Sequence, residues 1–413
     1  MMKSRISQLL LMLLMMTAQT AWGTTFDVIP WEGTGAVDDP YIIEYPSQLI
    51  LLAERVNSGT GDEYAATGYS GKYFQLGADI AFDPDIENNF TPIGKIVKTN
   101  SQTELYPFKG TFKGNGYKIT GIHINDASLE YAGLFGVVSG ATLDGITVSG
   151  AITAYKYIGG LVGSCEGDNV TISNCVSSTE LVGRNHPTNS GKRGEYVGGL
   201  VGYIIGAATI SGCRADGYAS GNGNVGGFVG CIEGTGTVNI TNCVARGDVR
   251  STNINYGGFI GWANDENATI KDCWCSGAVW GKGGNIGAFV GNSKDDNNKP
   301  KSTFENCSVY PYASGPRYFS GSNMYMTGGV LTATDYATMT NGWPAVKKHS
   351  HGLIPITTAE EFLAIATNAT SLDGCYVLVD DIDLHGQTIE PIGQTIITIN
   401  DGKTTLTDTP FTR

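Results

Sequence analysis

A five-residue phrase, small-Gly-apolar-apolar-Gly, returns six times between residues 132 and 291. It stands as Ala132-Gly-Leu-Phe-Gly136, Gly159-Gly-Leu-Val-Gly163, Gly198-Gly-Leu-Val-Gly202, Gly226-Gly-Phe-Val-Gly230, Gly257-Gly-Phe-Ile-Gly261 and Gly287-Ala-Phe-Val-Gly291, at intervals of 27, 39, 28, 31 and 30 residues. A unit of that length cannot enclose a core of its own, but stacked units bury one another. The spacing predicts a solenoid. Each unit continues through a short polar turn into a strand of the Thr-Ile-x-x-Cys type. Glycine in register inside strands points to corners with positive φ or to close coil-on-coil approach.

Five cysteines keep a place in the repeat: Cys175, Cys213, Cys243, Cys273 and Cys307 follow Ile172, Ile210, Ile240, Ile270 and Phe304 by three residues. Stacking brings them into a ladder. Equivalent side chains on neighbouring strands lie about 4.8 Å apart, beyond the Cβ separation that a disulfide prefers. The ladder is therefore read as small buried hydrophobes, with pairing as the alternative that export favours. No Cys-x-x-Cys occurs and no histidine interleaves, so no metal site is expected there.

The first 23 residues have the form of an export signal: Lys3 and Arg5, an apolar run from Leu9 to Met16, and Ala21-Trp22-Gly23 before Thr24. The apolar run is too short to span a bilayer. Glycine is 58 of 413 residues and charged residues are 16%, the balance of a turn-rich β protein. The formal charge of −13, with no basic cluster, argues against nucleic acid and anionic membranes as partners.

The expected organisation is a signal peptide over 1–23, an N-terminal cap and leader over 24–125, a repeat solenoid over 126–315, a connector over 316–352, and over 353–413 the start of a second, truncated cap and solenoid. In the leader, Leu49, Leu51, Leu52, Ala53 and Val56 after Pro46 give one apolar helix face closed by Asn57-Ser58-Gly59. Such a helix covers the open end of a solenoid. Asn115-Gly116 is a strong hairpin signal. From Ile354 the leader begins again: Ile356, Phe362, Ile365 and Ala366 keep the spacing of Ile43, Leu49, Leu52 and Ala53, and Pro391-Ile-Gly393 repeats Pro92-Ile-Gly94. The break at Arg413, where Gly-Thr-Phe is due, reads as a longer protein cut short.

The Gly-Gly-Leu-Val-Gly phrase and its Thr-Ile-x-x-Cys strand resemble the GLUG-motif family, and Phe108-Lys-Gly-Thr-Phe-Lys-Gly-Asn-Gly116 is similar to the leader before such repeats. The resemblance covers roughly residues 40 to 310. It implies an exported bacterial surface or adhesin-like protein, all-β, built as a parallel β-helix-like solenoid with a helix-containing cap. Similar repeats also occur as accessory parts of immunoglobulin-cleaving metallopeptidases. The repeat carries no established catalytic residues, so none transfers to this chain.

A search for chemistry finds little. His-Glu-x-x-His and Gly-x-Ser-x-Gly are absent. Gly221-Asn-Gly-Asn-Val-Gly226 matches a dinucleotide fingerprint but opens no helix. His349 and His351 read as a solvated linker, and Asp83-Pro-Asp-Ile-Glu87 lacks the glycine and the bidentate glutamate of a calcium loop. Asp265-Glu266 and Asp295-Asp-Asn-Asn298 fall in turns. Sugar-active β-helix enzymes are the enzymatic rival, because they place paired carboxylates on one face. Here the residue two before each ladder cysteine is Ser173, Ser211, Thr241, Lys271 or Glu305, with no recurring carboxylate. Tyr203, Trp262, Trp274, Trp280 and Tyr310 are the aromatic candidates for sugar stacking, and core filling is the commoner role. The insertion at Arg184–Arg193 is the local candidate for a contact loop. The expected function is non-catalytic adhesion to, or binding of, a host protein or polysaccharide, without cofactor.

Overall fold

The computed structural model describes residues 31–309, apart from residues 100, 168, 190–192, 235, 278, 282–284 and 294–300, together with 354–356, 376–378, 395–400 and 403–408. The leader 1–23, the connector, His349, His351, Tyr310, Cys375 and residues 295–298 lie outside the described residues.

The chain is an all-β parallel solenoid with one N-terminal α-helix. Its strands form three parallel sheets of nine, fifteen and six strands, and successive coils pair like with like. On the nine-stranded face Thr142 pairs with Thr171, Thr171 with Thr209 and Ile172 with Ile210. Along each strand burial alternates, as in Val170 (buried), Thr171 (half-buried), Ile172 (buried), Ser173 (half-buried). That period of two sends Phe112, Leu143, Ile172, Ile210, Ile240 and Ile270 inward as one fully buried column. The cysteine ladder stands beside it.

The glycine phrase has a different explanation at each position, and left-handed backbone is none of them. A Cβ on the first glycine, as at Gly198, would overlap the carbonyl oxygen of Val201, because the chain doubles back within four residues. A Cβ on the second meets the residue two beyond a ladder cysteine: Ser177 for Gly160, Ala215 for Gly199, Ala245 for Gly227 and Cys275 for Gly258. A Cβ on the last would press on the last glycine of the preceding coil, Gly163 for Gly202 and Gly202 for Gly230. Of the two expectations for these glycines, close approach is the correct one.

Positive φ belongs instead to a corner just before each ladder cysteine, at Asn174 (54°), Gly212 (62°), Asn242 (53°), Asp272 (53°) and Asn306 (48°). Gly, Asn and Asp are the residues that tolerate it. Asn115 and Gly116 form the first such corner, with φ of 52° and 82°. Their turn is real but no hairpin results, because Thr111–Lys113 and Lys118–Asn125 enter different sheets.

The predicted helix, α1, spans Pro46–Ser58. Proline opens it, where its missing N–H costs nothing, and Gln48 Oε1 accepts from the amides of Glu44 and Tyr45. Gly59 closes it at φ 64° with its N–H on the Arg55 carbonyl. Leu49, Leu52, Ala53 and Val56 are buried in the core. Asn57 then binds the end of the solenoid directly, donating to the Pro92 carbonyl at 2.9 Å and accepting from Gly94 N–H at 2.9 Å. Since Ile93 bridges to Phe135 of the first coil, Pro92-Ile93-Gly94 is a rudimentary coil and Asn57 satisfies its open edge.

Beyond the array, Ile354–Ile356 and Tyr376–Leu378 form a parallel pair with the register of Tyr41–Ile43 and Tyr73–Leu76. Thr395–Asn400 and Lys403–Asp408 pair antiparallel, as Lys95–Lys98 and Thr103–Tyr106 do in the leader.

Candidate binding face

The interior holds the thiols. All eight described cysteines are buried and free. Each ladder thiol donates to the carbonyl two residues earlier, Cys243 to Thr241 at 3.2 Å and Cys273 to Lys271 at 3.1 Å. Burial pushes the Cys243 and Cys273 thiols well up from their ordinary range. A thiol held protonated inside a closed core is inert as a nucleophile.

Chemistry available to a partner is therefore on the outside, and it concentrates on one strip where the fifteen- and six-stranded sheets meet. The residue before each glycine phrase is Tyr131, Tyr157 and Tyr196 in the first three coils. All three take left-handed backbone, with φ of 64°, 58° and 60°. For a bulky side chain that conformation costs about 1–2 kcal/mol and marks a constrained position. The rings stack along the solenoid axis, Tyr131 on Tyr157 at 4.7 Å and Tyr157 on Tyr196 at 5.2 Å, within 15° of parallel. Tyr203 leans on the last two at 5.1 and 5.2 Å.

Charge surrounds the column. Lys98, delivered by the leader hairpin, donates to Tyr131 Oη at 3.0 Å, and Lys156 sits 5.0 and 4.9 Å from the centroids of Tyr157 and Tyr196. The two ammonium groups lie 3.9 Å from Glu130 and Glu195 respectively. Tyr203 donates to Glu233 at 3.0 Å, and Ser164 to Glu166 at 2.6 Å. Burial first, and these glutamates second, raise the phenols of Tyr131 and Tyr157, so both stay protonated and able to donate. Because ring faces cover one another, the column presents hydroxyl edges rather than a stacking platform.

Sequence reasoning singled out Tyr203 but missed Tyr131, Tyr157 and Tyr196. The available signal was their fixed place, one residue before Ala132, Ile158 and Val197. Trp262 is half-buried, and Trp274 lies under the Arg246 guanidinium at 5.5 Å from its centroid, so neither forms a sugar shelf. The insertion is tied down where described: Asn185 accepts from Gly194 N–H at 3.3 Å, and His186 meets Tyr155 edge-on at 5.3 Å. Asp83 accepts from the Asp85 amide at 3.0 Å, an ordinary turn. Gly221–Gly226 lies within the strand Ala219–Gly226. Among the described residues no three His, Cys, Asp or Glu side chains gather to hold a metal.

The model of the GLUG motif matches residues 193–219, which hold the third glycine phrase, its corner and Cys213. The chain carries a GLUG motif. The strand register extends the same GLUG geometry to the other five phrases. A proposed Gly-rich membrane protein of Evansella cellulosilytica is 32% identical over 109 residues, which make up 26% of this chain and 10% of that relative. The match thus spans a tenth of the relative's length. A solved structure named for a proposed immunoglobulin A1 protease of Bacteroides ovatus aligns with a TM-score of 0.47 and 22% identity, covering 67% of this chain and 77% of that one. Among the described residues no helix is long and apolar enough to cross a membrane.

Proposed function

We propose that this chain is a non-catalytic, ligand-binding repeat region of a larger exported bacterial surface protein, and that the tyrosine column is its contact strip. The observation that carries this reading is the column itself. Three tyrosines are held in an unfavourable backbone conformation, at a position that the following coils fill with asparagine, so the solenoid does not require them. Hydroxyl edges interleaved with paired lysines and glutamates suit a polar polymer, a host protein or a polysaccharide, read along several coils. The export signal and the family's association with bacterial surfaces support an extracytoplasmic site, and a relative ten times longer than the match supports a region within a larger protein. Adhesion is the simplest use of such a strip.

The test is retention of the full chain on arrays of host glycans and extracellular-matrix proteins. Wild-type chain is expected to bind at least one probe, and Lys156→Glu with Tyr196→Ala to lose it. No retention anywhere sinks the reading. Turnover of a protein or polysaccharide that survives purification and vanishes with one carboxylate replaced moves the assignment to an enzyme.

A further inference from the structure

The nine-stranded face carries a second pattern, remote from the tyrosine column. Its strands each present two outward positions. At the first, pairing aligns Thr111, Thr142, Thr171, Thr209, Thr269 and Thr303, with Asn239 in the one remaining place. At the second, two residues on, the same strands show no such uniformity: Lys113, Asp144, Ser173 and Thr241 come from different chemical classes, as do Lys271 and Glu305.

Threonine is favoured in strands and pairs well across them, but those preferences act equally on both columns. They cannot account for one uniform column beside one mixed column. The columns also differ in what their side chains do. In the mixed column Ser173 donates to Asp144 at 2.7 Å and Lys271 meets Glu305 at 3.4 Å. In the threonine column, no hydroxyl has a hydrogen-bond partner among the described residues, and every position is half-buried. β-Branching and partial burial fix these side chains. Little order remains to be lost when a ligand docks.

We propose that this face is a binding site for a neutral, extended polysaccharide lying along the solenoid axis, one sugar to each coil. The column carries no charge and no aromatic ring, so it selects uncharged, hydroxyl-rich matter. Its repeat is the strand spacing of about 4.8 Å. A polypeptide strand on the same path presents same-face side chains every two residues, about 6.7 Å, and drifts out of step within two coils. Nucleic acid brings a phosphate per nucleotide to a chain of net charge −13. A regular neutral sugar chain is the polymer that can meet each threonine with the same hydroxyl.

The experiment is depletion of the full chain from solution by particles of cellulose and of chitin, against pectate as the anionic comparison and thermal hysteresis as the assay for an ice lattice. Replacing Thr171 and Thr209 together by valine keeps shape and strand preference while deleting two hydroxyls; retention on a neutral particle is expected to fall about tenfold. The corresponding serine pair should keep most of it. Tyr157→Asn should leave it unchanged, which separates this site from the tyrosine strip. Binding to neither particle, binding to pectate alone, thermal hysteresis without polysaccharide binding, or a valine pair that binds like wild type with an unshifted thermal midpoint each overturns the proposal. Loss through Tyr157→Asn but not through valine overturns it too, and leaves the tyrosine reading standing.

Discussion

The first three coils and the last three solve one packing problem in opposite ways. At the centre of the glycine phrase the first three place Leu134, Leu161 and Leu200, and the last three place Phe228, Phe259 and Phe289. On the outer flank the order of size reverses, from Tyr131, Tyr157 and Tyr196 to Asn224, Asn255 and Asn285. The phenylalanines stack inside at 4.6 and 4.8 Å. Outside them, Asn255 donates to Asn224 at 2.9 Å and Asn285 to Asn255 at 2.8 Å, an amide ladder where the other half has rings. The backbone runs through the change in register, Val197 on Val225 and Gly198 on Gly226. The glycines set the coil; bulk can sit on either side of it. Where it sits inside it supports the core, and where it sits outside it is free to serve a partner.

The largest effect should come from what both halves share. Gly198→Ala puts a Cβ into the Val201 carbonyl oxygen and against the Gly230 amide, all backbone, so neither neighbour can turn away. A loss of about 3 kcal/mol or more is expected in denaturant melts. Gly116→Ala, at φ 82° with nothing within 4 Å, should cost only the left-handed penalty of about 1–2 kcal/mol. Equal losses would mean that conformation, not coil contact, dictates these glycines.

Next is the inner column. Phe259 is stacked on both sides, and Phe259→Ala should cost about 3–5 kcal/mol, against about 2–5 for Leu200→Ala. The comparison breaks if the leucine coils prove the more sensitive, for then the aromatic core adds nothing to the second half.

These contrasts show how far the sequence was readable. Period and glycine phrase were enough for a solenoid, because no other fold buries units of about 30 residues, and the apolar spacing of Leu49 to Val56 was enough for α1. What could not be read was direction. Asn115-Gly116 has the composition of a hairpin turn, and only the sheet joined by the next strand tells a corner from a hairpin. Likewise Tyr157 and Trp274 are equally aromatic in sequence, but one lies in an outer column and the other under Arg246. The small residue two beyond each cysteine was visible, as in Cys213-Arg-Ala215, yet its cause, Gly199 of another strand, is a contact that repeats alone do not disclose.

Smaller effects are expected at the thiols. Cys243 already donates to the Thr241 carbonyl, so a serine hydroxyl finds the same partner. Cys243→Ser should fall at the low end of the roughly 1–3 kcal/mol for burying a hydroxyl. Native labelling by a thiol reagent should fail in both halves of the ladder, at Cys175 and Cys213 as at Cys243 and Cys273, until the chain unfolds. Early labelling confined to one half would show that the two packings differ in how tightly they close.

The smallest stability change should belong to the residue that distinguishes the halves. Tyr157→Asn substitutes the residue of the later coils at the same repeat position. Asparagine removes much of a left-handed penalty of about 1–2 kcal/mol and forfeits ring stacking of about 0.5–1.5 kcal/mol. The two terms are of one size and opposite sign, so the thermal midpoint should move by no more than a few degrees. Tyr157→Ala lacks the asparagine's tolerance of this backbone and should be the worse of the two. If Tyr157→Asn melts like wild type and loses retention on the probe that wild type binds, the outer tyrosines are kept for a partner. If it unfolds as readily as Phe259→Ala, they are a second core, and the contact strip must be sought on another face.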